Sequence, residues 1–402
     1  MTNHQSAPDL PPSVAVRIRR LRLALGLTQI DLAARSGIAP GALSMIENGH
    51  QAADPQTLRS LSEVLDCQIT YFSDGAGDVE HDEVKLRRYA DAPQRSVDRA
   101  VFDSVTAVQT IRSLALRTPD ARLRVHDGDL DDDDRIDRIA GDVRSAAGLE
   151  PDTVIPNVMR AAERLGCILL PIDGELGRHP GLSLTVDGLP VIRVTRPSHD
   201  RSVCVPAERQ RQTVAHEIGH LVLHSRSKQP ANPMDAARME SEANRFAAAF
   251  LVPGEAVLTD VGALGSQLTA TNLAALQQKW GYPIKAFALR LRELGVVDDA
   301  ALRALSKEIS TRVHEKRVSQ GTQHESGAWF GEALRRSFPG DAGLQHAAKA
   351  SGLGERYLRR WLAWQPYGSP VPQARITRLH PRSPTSLGRD QSARVVRLPR
   401  RS

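Results

Sequence analysis

His216, Glu217 and His220 stand in the order His-Glu-x-x-His within RQTVAHEIGH, residues 211–220. On an α-helix, residues four apart share a face with their Cβ atoms roughly 5–6 Å apart. Both imidazoles can therefore reach one ion, with Glu217 alongside. Imidazole suits zinc, and a catalytic zinc takes three protein ligands and leaves a fourth position to water. The ion lowers the pKa of such a water to about 7, and a neighbouring carboxylate can accept its proton. His216 and His220 are thus candidate ligands for Zn2+ and Glu217 the candidate base. Val214, Ala215, Ile218, Leu221 and Val222 give this helix an apolar body, and histidines buried in such a body need partners.

The third ligand must come from another segment. A third histidine in the usual spacing needs Gly at 223 and His at 226, where Leu223 and Arg226 stand. A glutamate from a following helix is the other solution, and MESEANRFAAAFLVP (239–253) offers Glu240 and Glu242. The two lie about 200° apart around a helix, so only one can face the ion. Ala243, Phe246, Ala247, Phe250 and Leu251 mark the apolar face. Glu240 shares that face and is the preferred ligand; Glu242 is the alternative. Asn244, one turn beyond Glu240, is placed to hydrogen-bond a ligand from behind.

Several elements must hold these residues. The active-site helix is expected over 206–224 and its partner over 235–251, where Pro253-Gly254 stops it. Upstream, NVMRAAERLGCILLPI (157–172) reads as helix, Gly166 and strand, and GLSLTVDGLPVIRVT (181–195) as two strands broken by Asp187-Gly188. Residues 84–116 read as helix, and 118–134 as an acidic, turn-rich connection. Near the amino terminus, residues 13–65 are helical but cut short by Gly26, Gly37, Gly49 and Pro55, which suggests a bundle of short helices. The stretch from 256 to Trp364 is helical again. The expected class is mainly α, with a small α+β domain, an all-α amino-terminal bundle and a helical carboxyl-terminal region.

A chain of 402 residues calls for two or three domains. Charged residues make up 25% and apolar residues 41%, the balance of a soluble globular protein. The net charge of +6 is unevenly spread: Arg17, Arg19, Arg20 and Arg22 cluster near one end, and residues 375–402 hold eight arginines against Asp390. Basic ends flanking the acidic DGDLDDDD (127–134) fit nucleic-acid contact. Cys67, Cys167 and Cys204 are too scattered for a disulfide framework or a thiolate metal site. No secretory h-region and no run of 18 apolar residues occurs, so a cytoplasmic protein without membrane contact is expected.

RQRQTVAHEIGHLVLH (209–224) followed by ESEANRFAAAFLVP (240–253) resembles the ImmA/IrrE family of zinc metallopeptidases, whose third ligand is a glutamate. The resemblance implies His216, His220 and Glu240 as zinc ligands and Glu217 as general base. His224, one turn on, is read as structural. The hairpin before the active-site helix also resembles the family's, with His179-Pro180-Gly181-Leu182-Ser183 where an Asp-Gly-Phe-Ser is usual.

LTQIDLAARSGIAPGALSMIENG (27–49) resembles the helix-turn-helix of Xre/Cro-type repressors. Thr28-Gln29 opens the first helix, Leu32 and Ala33 pack it, Gly37 makes the turn, and Leu43 and Ile46 bury the second helix. The resemblance implies DNA contacts from Arg17, Arg19, Gln29, Ser44 and Asn48. The positions that would meet bases, Ala39, Pro40, Gly41, Ala42, Ser44 and Met45, include no Arg, Asn, Gln or Lys for bidentate readout.

The expected organisation is a disordered leader (1–12), a helix-turn-helix domain (13–75), a helical connector with the acidic loop (76–134) and the peptidase domain (135–255). A helix-turn-helix-like segment (256–312), a carboxyl-terminal helical region (320–366) and a basic disordered tail (367–402) complete it. The expected function is a DNA-binding transcriptional regulator whose zinc metallo-endopeptidase domain cleaves a repressor-type protein in a stress or mobile-element response. Such a regulator is compatible with a homodimer. The alternative is a non-proteolytic regulator in which the zincin-like domain serves as sensor or scaffold.

Overall fold

A short sheet divides the molecule, and its alternation decides what each side holds. The structure is a computed structural model that describes residues 12–73, 85–86, 93–128, 130, 133–172, 180–197, 204–225, 230–264, 268–315 and 322–364. The leader, His179, part of the acidic loop and the basic tail lie outside the described residues.

Five helices come first: α1 (Pro12–Ala24), α2 (Gln29–Ser36), α3 (Pro40–Glu47), α4 (Pro55–Leu65) and the single turn α5 (Thr70–Ser73). Thr28 caps α2 in a capping box with Asp31, Gly37 closes it in the left-handed conformation (φ 69°), and Pro40 opens α3. Strand β1 (Lys85–Leu86) and helix α6 (Gln94–Ser113) follow. The single helix expected over 84–116 is thus corrected. Pro93 sits at the N-cap, where a helix can begin but which it does not run through, and Lys85–Leu86 pairs with a neighbouring strand instead.

After α7 (Asp133–Ala146) and α8 (Val158–Arg164) come β2 (Ile168–Ile172), β3 (Gly181–Val186) and β4 (Leu189–Thr195). The sheet order is β1-β3-β4-β2, with β2 parallel to β4 and the other pairs antiparallel. The β3–β4 hairpin turns on Asp187 and Gly188, both at positive φ, as a two-residue turn of the twist-matching kind requires. Next come α9 (Ala207–Leu223), α10 (Pro233–Leu251), α11 (Gly254–Ala263), α12 (Ala270–Trp280), α13 (Ile284–Glu293) and α14 (Asp299–Glu315). The last three are α15 (Trp329–Ser337), α16 (Gly343–Ser351) and α17 (Glu355–Leu362).

Successive side chains of a strand point to opposite faces, and here the two faces feed two cores. Leu169, Ile192 and Val194 join α7 to α14 in one. Ile168, Leu170, Leu182, Leu184, Val186 and Val191 join α1 to α6 and α15 to α17 in the other. Apolar packing therefore runs across residues 75, 134 and 320, where the domain boundaries were expected.

Buried charges tie the layers together. Asp103 on α6 accepts from Arg193 on β4 at 2.8 Å, from Trp361 Nε1 at 2.9 Å and from Arg360 on α17. The segment before α15 is pinned by Glu325, which accepts from the first amides of α8 at 2.6 and 3.0 Å and pairs with Arg211 on α9. Among the described residues, no single helix is long and apolar enough to cross a membrane.

Candidate metal centre

Helices α9 and α10 cross closely because Gly219 leaves room. A Cβ there would stand 2.9 Å from Phe246 Cδ1, inside normal contact. The same closeness brings the His-Glu-x-x-His face of α9 against Glu240 on α10. One ligand atom from each of His216, His220 and Glu240 lies within 4.8 Å of the others. His216 Nε2 is 3.2 Å from Glu240 Oε2, and His220 Nε2 is 3.5 Å from Glu240 Oε1. Burial pushes the Glu240 carboxyl up, but the hydrogen bonds and charge of the two imidazoles outweigh it and hold the group well below the ordinary carboxylate range.

The nitrogens behind the site are held as well. His216 Nδ1 lies 3.1 Å from Asn244 Oδ1, so a ring that gives Nε2 to a metal would donate from Nδ1 to this amide oxygen. Asn244 is the residue expected to support a ligand from behind. Two imidazole nitrogens and a carboxylate, the imidazoles supported from behind, form a donor set that fits zinc. Glu242 is placed elsewhere. Its Oε2 is 2.8 Å from His224 Nε2, and His224 Nδ1 is 3.1 Å from His220 Nδ1. Glu240, not Glu242, is the carboxylate that meets both imidazoles.

Glu217 is buried, 2% exposed, and its Oε2 accepts from Ser183 Oγ at 2.6 Å. The pleat explains this contact. Leu182, Leu184 and Val186 fill the far core, so Gly181 and Ser183 turn toward α9. A Cβ on Gly181 would meet Thr213 Cγ2 at 2.4 Å and Glu217 Oε1 at 3.2 Å, so glycine is what lets β3 lie against the helix. Sequence reasoning missed Ser183, although the alternation of GLSLTV carried the signal.

The amino-terminal residues expected at DNA divide into two sets. Arg19 and Asn48 are exposed, Ser44 and Gln29 half-buried. Gln29 Nε2 donates to Glu47 Oε2 at 2.8 Å, so its amide already has a partner inside the bundle. Arg17 corrects the expectation of a surface anchor: it is buried, and its Nη1 donates to the carbonyl of Tyr71 at 2.5 Å. Arg20 and Arg22 are buried too, Arg20 against Gln109 of α6 and Arg22 against Glu47, at 2.6 Å from its Nε to Oε1. The reason is that α5 and α6 cover faces of α1 that an isolated bundle would leave in water. On α3, Ala39, Pro40 and Gly41 are exposed, and so is Met45 at 45%.

A helix-turn-helix family model matches residues 18–72, and the model described as an IrrE N-terminal-like domain, a peptidase family, matches residues 202–292. Each match covers well under half of the chain. The second match begins just before α9 and ends in α13, so the IrrE-like domain takes in the metal-site helices and the helices packed behind them. Its family is one of metallopeptidases, and its helix-turn-helix partner is a DNA-binding module. No curated protein matches the chain.

Proposed function

We propose that this chain is a DNA-binding regulator whose IrrE-like domain is a zinc metallo-endopeptidase, with a repressor-type protein as substrate in a stress or mobile-element response. The observation that carries the reading is the convergence of His216, His220 and Glu240 within 4.8 Å, on helices that also bury Glu217. When bound, zinc supplies Lewis acidity toward water and a peptide carbonyl. His216, His220 and Glu240 are the residues that would hold it.

The chain's own proton chemistry centres on Glu217. Ser183 Oγ donates to one carboxylate oxygen and so fixes the plane of the carboxylate. Glu217 accepts the proton that water loses on attacking the peptide carbonyl, then delivers it to the departing amine nitrogen. Glu217 itself is buried, which strengthens the electrostatics of each transfer. The helix-turn-helix domain supports DNA as a partner, and placement on DNA would bring the peptidase to where repressors bind.

The test pairs zinc content with cleavage of a co-encoded repressor. Wild type is expected to hold one zinc and cut the repressor at one site. Glu217→Gln should keep the zinc and lose cleavage, and His216→Ala should lose both. Full biological activity in zinc-loaded Glu217→Gln would instead favour the sensor or scaffold role.

A further inference from the structure

The two ligand histidines are supported by different chemistry, as the proton positions that metal binding requires make plain. With Nε2 given to a metal, His216 donates from Nδ1 to the neutral amide oxygen of Asn244, 3.1 Å away. His220 can offer Nε2 to a metal only if its proton sits on Nδ1. That Nδ1 lies 3.1 Å from His224 Nδ1, which must then carry a lone pair. The proton of His224 therefore sits on Nε2, 2.8 Å from Glu242 Oε2, and the carboxylate accepts it. Each assignment forces the next, and all three side chains are buried: His220 is 4% exposed, His224 8% and Glu242 9%.

We propose that His224 and Glu242 are positioning residues for the metal, forming a carboxylate–imidazole–imidazole chain that locks His220 as the Nε2 donor. The proposal rests on the metal-centre reading above. It gives the site a built-in asymmetry. His220 is backed through His224 by an anion, so its ring is the more rigidly oriented ligand. His216 is backed by a neutral group and is the more easily displaced. Helix geometry makes the arrangement available: His216, His220 and His224 succeed one another at four-residue steps along one face. The ring centroids of His220 and His224 are 5.3 Å apart. Helix α10 then contributes Glu240 to the metal and Glu242 to the chain two residues later.

The test measures zinc affinity of the full chain by competition with a chromophoric chelator, alongside thermal melting of the zinc-free protein. His224→Phe and Glu242→Ala are expected to weaken zinc binding by about 10- to 100-fold. His224→Gln is the rescue, because its amide oxygen can accept from His220 Nδ1 and its amide nitrogen can donate to Glu242. It should bind zinc nearly as tightly as wild type. In zinc-loaded wild type, nitrogen-15 correlation spectra should show His220 protonated at Nδ1 and His224 at Nε2. Wild-type affinity in His224→Phe and Glu242→Ala overturns the proposal, as does an equal loss in His224→Gln and His224→Phe or the opposite tautomers. If affinity falls only in variants whose zinc-free melting point also collapses, the residues are structural and the proposal fails. Wild type that takes up no zinc overturns the metal-centre reading itself, a result distinct from all of these.

Discussion

Asp103 joins three elements that are far apart in the chain, and its removal should be costly. Its carboxylate lies at 2% exposure between Arg193 and Arg360 and also takes the Trp361 indole proton. Arg193 is 3% exposed, so Asp103→Asn leaves a guanidinium in the core without its anion. Breaking one side of a buried pair costs about 3–5 kcal/mol, most of it from the charge left behind. Asp187→Asn is the control, because asparagine also tolerates the positive φ of the hairpin turn. It removes an ion pair with Arg112 in which both side chains are over 40% exposed, and such pairs contribute about 1 kcal/mol or less. Urea unfolding followed by tryptophan emission is the assay, since Trp361 touches the site. Burial pushes the Asp103 carboxyl up, but Arg360 and Arg193 more than offset this and leave it below the ordinary range. A depressed carboxyl stabilises the fold above the unfolded value, about 3.9 for aspartate, and that stability is lost as pH falls through the folded value. The gap between wild type and Asp103→Asn should therefore be full at pH 7 and shrink below about pH 4. A gap at pH 7 no larger than that of Asp187→Asn, or one unchanged at pH 3, refutes the reasoning.

Zinc should raise the unfolding free energy of wild type by about 2.7 kcal/mol at a hundredfold excess over its Kd; the effect should vanish in His216→Ala and on chelation, as urea midpoints will record. Gly219→Ala forces a methyl group against Phe246 and should cost about 1–3 kcal/mol, with partial recovery on adding Phe246→Leu; an unchanged urea midpoint would contradict the close helix approach. Ser183→Ala removes a hydrogen bond to a carboxylate worth about 1.5–3 kcal/mol, so peptide cleavage should fall by about tenfold or more while zinc stoichiometry holds. In DNA titrations, Arg19→Ala should reduce the salt dependence by about one phosphate contact. Arg17→Ala should leave the slope alone and lower the melting temperature.

The candidate metal ligands were legible because a helix repeats on a scale that sequence displays. Spacing alone put His216 and His220 on one face, and the apolar stripe of α10 selected Glu240 over Glu242. The hairpin was legible for a similar reason, since Asp187-Gly188 is local turn chemistry. What escaped lies at long range. The partners of Asp103 come from 90, 257 and 258 residues away, and no periodicity reports them. Arg17, Arg20 and Arg22 look like a basic surface until partners on α5, α6 and α3 bury them. His224 reads as structural from sequence, because nothing in the spacing pairs it with Glu242 on the next helix. Ser183 is the exception, since the two-residue alternation of β3 pointed it at α9 all along.

Because both faces of the sheet are occupied, the peptidase half cannot be cut free intact. A fragment of residues 135–255 would keep β2, β3 and β4 but lose α6 and α17, laying Ile168, Leu170, Leu182, Leu184, Val186 and Val191 open to water. Six neighbouring aliphatic side chains on strands are a template for aggregation. Insolubility of such a fragment would report the missing lid on that face, and its lack of catalysis would carry no information about zinc.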